Sequence, residues 1–317
     1  MFRYMKARRK RNFNPEEYTA AQRSVFSKRT NLIFSMLFAL LALAVFLPVL
    51  LVIIVSFTSE SSVTQNGYSF FPQSFSLEAW KYLLHSGTYL VRAILNSFLI
   101  TAAGTVLSLM LMCPIAYALS RKSFRYRRGI LIFLMIPMIF SGGLVSTYMV
   151  YTQILHLRNT YLALILPLLC STWYIMILRN YYQTAVPDSL IEAAMVDGGR
   201  QLQIFLRIVV PITTPVTMTV ALFQIFAYWN SWYPALLYLD SNHTELYPLQ
   251  YVLVNMQRSI DMLANDAQYI SGAQAYIPPA VTVRMVLVVV VILPIILIFP
   301  LFQRYVKNGM TVGAVKG

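Results

Sequence analysis

This 317-residue chain is short of charge. Asp, Glu, Lys and Arg make up 11% of it, where an ordinary soluble domain carries about 25%. Hydrophobic residues make up 58% and gather in long runs, which reads as an integral membrane protein. Acid is scarcest of all. The eleven carboxylates avoid every apolar run: Glu16, Glu17, Glu60, Glu78, Asp188, Glu192, Asp197, Asp240, Glu245, Asp261 and Asp266 all fall between them. Carriers driven by protons or sodium bury an acid at mid-membrane as a ligand for the ion. This pattern speaks against one. The two cysteines, Cys113 and Cys170, lie in apolar runs and read as small packing residues. His85, His156 and His243 are scattered, each read as a loop residue, and make no metal cluster. There is no phosphate-binding P-loop, no HExxH and no nucleophile elbow. If ATP drives this protein, another chain binds it.

What is present is a set of six apolar runs long enough to cross a bilayer. They are Asn31 to Phe57, about Ala93 to Ser120, about Gly129 to Ile154, about Tyr161 to Leu178, about Val209 to Leu239, and about Thr282 to Phe302. The expected fold is all-α, with six transmembrane helices. Twenty of the 25 basic residues lie before the first run, between the second and third, between the fourth and fifth, and after the sixth. Lys81, Arg92, Arg158, Arg258 and Arg284 remain for the other side. The positive-inside rule then puts both termini in the cytoplasm. The net charge of +14 is therefore a topological signal, with anionic headgroups as a secondary partner, and not a nucleic-acid footprint. The first run is too long for a signal peptide and reads as an anchor. Residues 1–30 form a basic N-terminal segment, 31–308 the membrane domain, and 309–317 a cytoplasmic tail.

Two connections stand out. The external one from Asp240 to Ala280 is the longest and most polar. The cytoplasmic loop 181–211 holds a polar island, Glu192-Ala193-Ala194-Met195-Val196-Asp197-Gly198-Gly199. Pro187, or a capping box from Ser189 to Glu192, starts a helix there. Gly198 or Gly199 ends it near Asp197 by adopting positive φ. A second short helix follows, with Leu202, Phe205, Leu206 and Val209 on one face. Pro211 then marks the fifth run. In an earlier connection Ser76 is placed to cap a short helix. By spacing alone the island is either a solvated linker or a socket for a partner.

The whole string, Val186-Pro187 through Glu192-Ala193-Ala194, Asp197-Gly198 and Phe205 to Ile208 and Pro211, resembles the EAA loop of carbohydrate ABC-importer permeases. Ala116-Tyr117-Ala118-Leu119-Ser120-Arg121 and Gln303 to Met310 with Gly313 to Gly317 are similar to the same family, of the maltose type. Ser141-Gly142-Gly143-Leu144 and Glu245 to Gln250 resemble its permeases for oligosaccharides released from polysaccharides such as alginate.

The resemblance implies a type I importer permease with the MetI-like fold in a bacterial cytoplasmic (inner) membrane. It implies a homologous second permease, two ATPase subunits, an extracytoplasmic solute-binding protein and an oligosaccharide substrate. This chain would be non-catalytic and bind no cofactor, with ATP and Mg on the ATPases. Glu192, Ala193, Ala194, Asp197, Gly198 and Gly199 would couple to the ATPase. Gly309, Gly313, Lys316 and Gly317 would reach the ATPase interface. Sugars pair amides with aromatic platforms, so Gln224, Tyr228, Trp229, Asn230, Trp232, Trp173 and Tyr148 are the substrate-path candidates. An interfacial aromatic belt is the competing reading for them. Arg284 could meet an acidic sugar or snorkel to the interface. The alternative functions are a secondary carrier or channel, and a permease for a non-sugar solute.

Overall fold

A computed structural model describes residues 28–85, 87–267 and 280–311. The chain divides into two compact units, 1–53 and 54–317. Most of helix α1 (Lys28–Ser56) belongs to the first. Its 29 residues span about 43 Å, enough for a hydrocarbon core about 30 Å thick.

Among its described residues the second unit's regular elements are all helices, apart from one isolated antiparallel bridge between Thr58 and Phe75. Short helices α2 (Glu60–Asn66) and α3 (Glu78–His85) lead into α4 (Gly87–Ser120), the central rod. Ser76 Oγ accepts the N–H of Glu78 at 3.1 Å, so it caps α3 as its sequence position suggests. His85 closes that helix and is not a loop residue. The third expected span is not straight. α5 (Arg127–Ile139) and the segment Gly143–Ile154, composed of α6 (Gly143–Met149) and a wide π turn, meet at 117°. Ser141-Gly142-Gly143 makes the corner, and Gly143 has φ +79°, which a glycine adopts without steric cost. The fourth span is bent by 48° between α7 (Tyr161–Leu169) and α8 (Thr172–Ala185). Cys170 and Ser171 are extended there. Pro167 lies three residues earlier and cannot donate to the helix ladder.

The loop helix α9 (Asp188–Val196) and short α10 (Gln201–Ile204) come next. A second π turn, Phe205–Val209, joins α10 to α11 (Val210–Trp229). The fifth span therefore starts at Gln201 and ends at Trp229, eight residues earlier and ten residues earlier than expected. The chain turns at Asn230 and restarts as α12 (Tyr233–Tyr238), with Pro234 in its first turn, where a missing N–H costs nothing. The polar connection after Asp240 contains the amphipathic α13 (Leu249–Ala267). Its Leu249, Val252, Leu253 and Ile260 are buried, while Gln257, Arg258 and Ser259 are exposed. Helix α14 (Ala280–Thr311) is the last. The Glu60 carboxylate accepts from the backbone N–H groups of Val281 and Thr282, both at 2.9 Å. An anion thus sits where the helix dipole favours one.

α4 is packed by α7, α8 and α11, and α11 also packs on α14. The closest approach is at Gly104, where an added Cβ would stand 2.5 Å from Tyr228 Cζ. The buried apolar residues form two clusters at opposite ends of α4. One holds Leu83, Ile100, Trp229, Leu249 and Val283. The other holds Met112, Ile175, Tyr182, Ile191, Ile204 and Val209.

Candidate functional site

The polar island sits at the second cluster's end of α4. Pro187 precedes α9 with φ −60° and ψ 144° and acts as its cap residue; the Ser189 capping box does not form. The exit from α9 is a Schellman motif: Gly198 donates to the Met195 carbonyl at 3.0 Å and Gly199 to that of Ala194 at 2.9 Å. Gly198 has φ +84°. Gly199 is needed for space, because a Cβ there would lie 2.7 Å from the Ala194 oxygen. Arg200 then starts α10, its N–H held by Gln203 Oε1 at 3.1 Å.

This helix pair is fixed from beneath by one side chain. Arg121, at the end of α4, is buried to 9% side-chain exposure. Its Nη2 donates to the Tyr182 carbonyl at 2.8 Å. Its Nη1 donates to the Val186 carbonyl and to Asp188 Oδ1, both at 3.0 Å. Its Nε donates to Ser120 Oγ at 2.8 Å. The planar guanidinium fork reaches several acceptors at once, here two carbonyls at the end of α8 and the first acid of α9. The contact is reciprocated: Arg179 Nε donates to the Leu119 carbonyl at 3.2 Å, and the Gln183 amide to that of Ser120 at 3.3 Å. The Tyr117 hydroxyl donates to Gln201 Oε1 at 3.1 Å, and its ring packs on Phe205. Ile191, Ile204, Phe205 and Val209 complete the seat.

Above this seat the surface is open. Glu192, Ala193, Asp197 and Gly198 are exposed, and Ala194 and Gly199 are half-buried. Val196 is 88% exposed and Leu202 67%. Leu202 and Leu206 do not share the buried face of Phe205 and Val209 as the spacing suggests, because the π turn shifts the helical register. The exposed face is therefore apolar patches between two acids. It suits a protein partner. Sequence reasoning located the island but missed its anchor. Arg121 had served as a topological charge, although a basic residue ending one span and an acid starting the loop helix were both visible.

The substrate-path candidates are spread out. Gln224 is buried and donates to the Leu168 carbonyl at 3.1 Å. The Tyr228 hydroxyl donates to that of Ile165 at 2.9 Å, beside Ser108 Oγ at 3.2 Å. Trp229 Nε1 donates to that of Val291 at 3.1 Å. These three polar groups are thus spent on joining helices. Asn230 is exposed and accepts from the Gln250 amide at 3.2 Å. Trp232 is half-buried, under Arg258 at 5.9 Å. Trp173 is 62% exposed. Tyr148 stacks on Tyr238 at 6.0 Å. Near them, Asp240 binds Asn159 and Arg158, and those hydrogen bonds hold its carboxyl below the usual range. Gly309 lies in the last turns of α14, while Gly313, Lys316 and Gly317 fall outside the described residues. Among the described residues no group of His, Cys, Asp and Glu is arranged to hold a metal. Cys113 is buried, whereas Cys170 is exposed at the bend between α7 and α8.

Bent spans around a central helix, with a firmly seated loop between two of them, define a helical membrane permease. Residues 104–312 match the family described as the binding-protein-dependent transport system inner membrane component. The chain belongs to that family and is an ABC transporter permease. It is 35% identical to Protein LplC of Bacillus subtilis, over 86% of this chain and 89% of that one. It is 33% identical to the polygalacturonan/rhamnogalacturonan transport system permease protein YtcP of the same organism, over 90% and 96%. Among solved structures, it is similar to a chain of a bacterial ABC transporter involved in the import of the acidic polysaccharide alginate. There the TM-score is 0.72 and the identity 27%, covering 89% of this chain and 99% of that one.

Proposed function

We propose that this chain is a pore-forming subunit of an ATP-driven oligosaccharide importer in a bacterial cytoplasmic membrane, with both termini in the cytoplasm. It acts with a homologous permease, two ATPases that hold ATP and Mg, and an extracytoplasmic binding protein. One observation carries the coupling role: an exposed acid-and-apolar surface on α9 stands on a buried guanidinium that ties together α4, α8 and α9. The ATPase docks on Glu192, Ala193, Ala194, Asp197, Gly198 and Gly199, with Val196 as an added anchor. When the ATPases close, the push on α9 passes through Arg121 to α4 and α8, and through α10 and the π turn to α11. The tail from Gly309 reaches toward the ATPase interface. At the other end, Asn230, Trp232, Trp173 and Tyr148 offer amide and ring surfaces to sugar. Gln224, Tyr228 and Trp229 act by holding that end together. The sugar assignment is supported by the relatives above that transport polygalacturonan, rhamnogalacturonan or alginate.

The test uses Gly198→Pro and Glu192→Lys in the complete transporter. Proline cannot adopt the φ of +84° at position 198. Both variants are expected to insert in the membrane normally, yet to retain little ATPase on purification and to lose most substrate-stimulated hydrolysis. Normal assembly and normal stimulated hydrolysis in both would overturn the coupling assignment.

A further inference from the structure

Helices α13 and α14 line an open-sided cavity of about 250 Å³. One face of α13 lines it with Gln250, Leu253 and Gln257, and one face of α14 with Arg284, Leu287 and Val291. The spacings of three, four and seven residues put each set on a single helical face. Gln250 and Gln257 stand two turns apart with Leu253 between them. Among the described residues Arg284 is the only charged one of the lining, and no carboxylate shares it. Arg284 Nη2 is bonded to Asp261 from behind the lining. Its Nε is buried with no partner among the described residues. A guanidinium carries five donors, so it has capacity beyond the bond to Asp261.

The chemistry of this lining is selective. Leu253, Leu287 and Val291 suit the apolar face of a pyranose ring. The two amides suit hydroxyls, and the guanidinium suits a carboxylate, which it can hold by two parallel bonds. The volume lies just under the roughly 300–1,000 Å³ of sites for larger ligands, which fits one ring and not a chain. Resting on the oligosaccharide reading above, we propose that this cavity is a subsite for a sugar acid. Arg284 takes the carboxylate, and Gln250 and Gln257 take ring hydroxyls. Asp261 orients the guanidinium and competes for its charge. A neutral sugar finds the same amides and apolar wall but leaves Arg284 unanswered.

The complete transporter tests this by cysteine protection. Val288 is exposed and lines the cavity, so Val288→Cys is placed in a Cys170→Ser background and its reaction with a maleimide is timed. Galacturonate should slow the labelling and galactose at the same concentration should not. Adding Arg284→Gln should raise the galacturonate concentration needed by about ten-fold, the value of one charge-assisted hydrogen bond. Adding Asp261→Asn should lower it. A purely structural role for the Arg284–Asp261 pair moves both variants the same way and overturns the subsite. So does equal protection by both sugars, or none by either, as when a lipid chain or a neighbouring helix fills the cavity. A transporter that still imports an oligosaccharide while showing no protection loses the subsite but keeps the importer reading. One that imports no sugar loses both.

Discussion

At the scale of the residue, Arg121 does more than any other side chain to define this molecule. It bonds three backbone or side-chain acceptors beyond its own neighbour Ser120. Lysine has three donors on a single point and cannot reproduce that fork. Arg121→Lys should therefore keep the charge and lose the geometry. The buried Val186 carbonyl would be left short of a donor, at a cost on the order of 1–3 kcal/mol, while that of Tyr182 keeps the Val186 N–H. The Asp188 contact adds little to this, because its side chain is 48% exposed and surface pairs are screened. The expected result is faster amide hydrogen exchange in residues 183–197 with exchange in α7 unchanged. Transport should fall further than ATP hydrolysis, since the ATPase still docks but its motion slips. Unchanged exchange in the loop would show that the guanidinium is not its anchor.

At the scale of the element, the π turn at Phe205–Val209 sets how the loop helix and the fifth span face each other. Inserting one alanine after Ile212, in the α-helical part of α11, should rotate α10 against the rest of α11 by roughly 100°. Ile204 would leave its buried position. The variant should still insert, with helical content unchanged by circular dichroism, but should lose sugar-stimulated ATP hydrolysis. Full stimulation would mean that the register carries no information. This is also the scale at which the sequence was least legible. Apolar runs fix that a span exists, because burial in lipid demands them, but they are silent on its straightness. The corners at Gly142-Gly143 and Cys170-Ser171 depend on which neighbour a half-helix meets. The π turn has no compositional signature at all. Helix α13 was readable, since Leu249, Val252, Leu253, Met256 and Ile260 recur at helical spacing, but the polar residues between them masked it. The α9 exit was legible to within one residue: the sequence offered Gly198 or Gly199, and the positive φ falls on Gly198.

At the scale of the whole molecule, the two ends of α4 are secured by different chemistry. The loop end rests on a guanidinium and backbone carbonyls. The opposite end is pinned in part by Asp240, bonded to Asn159 and Arg158. Because its native pKa lies below the ordinary 3.8, ionised Asp240 favours the folded corner. That contribution is complete above pH 3.8 and is lost as pH falls through the depressed native value. Acid should thus loosen the connection around Asn159 before it loosens α9. Hydrogen exchange across an acid titration reads this directly, and Asp240→Asn should remove that pH dependence at the corner alone. Equal acid sensitivity at both ends would contradict it. The family itself was legible because its recognition surface is local in sequence. The subsite between α13 and α14 was not, because it is made by residues from about 250 and 290 that only the fold brings together.

From Gln201 to Trp229 the chain is helical for 29 residues, α10 and α11 running on through the π turn, about 43 Å in all. A rod of that length is a lever arm. A swing of about 10° at the loop end would carry the Trp229 end through roughly 7 Å, a stroke comparable to the width of a sugar ring. Such an arm exchanges force for distance. A small closure between ATPases would suffice to move a gate on the far side of the bilayer, and the gate in turn would bear only a fraction of the force applied.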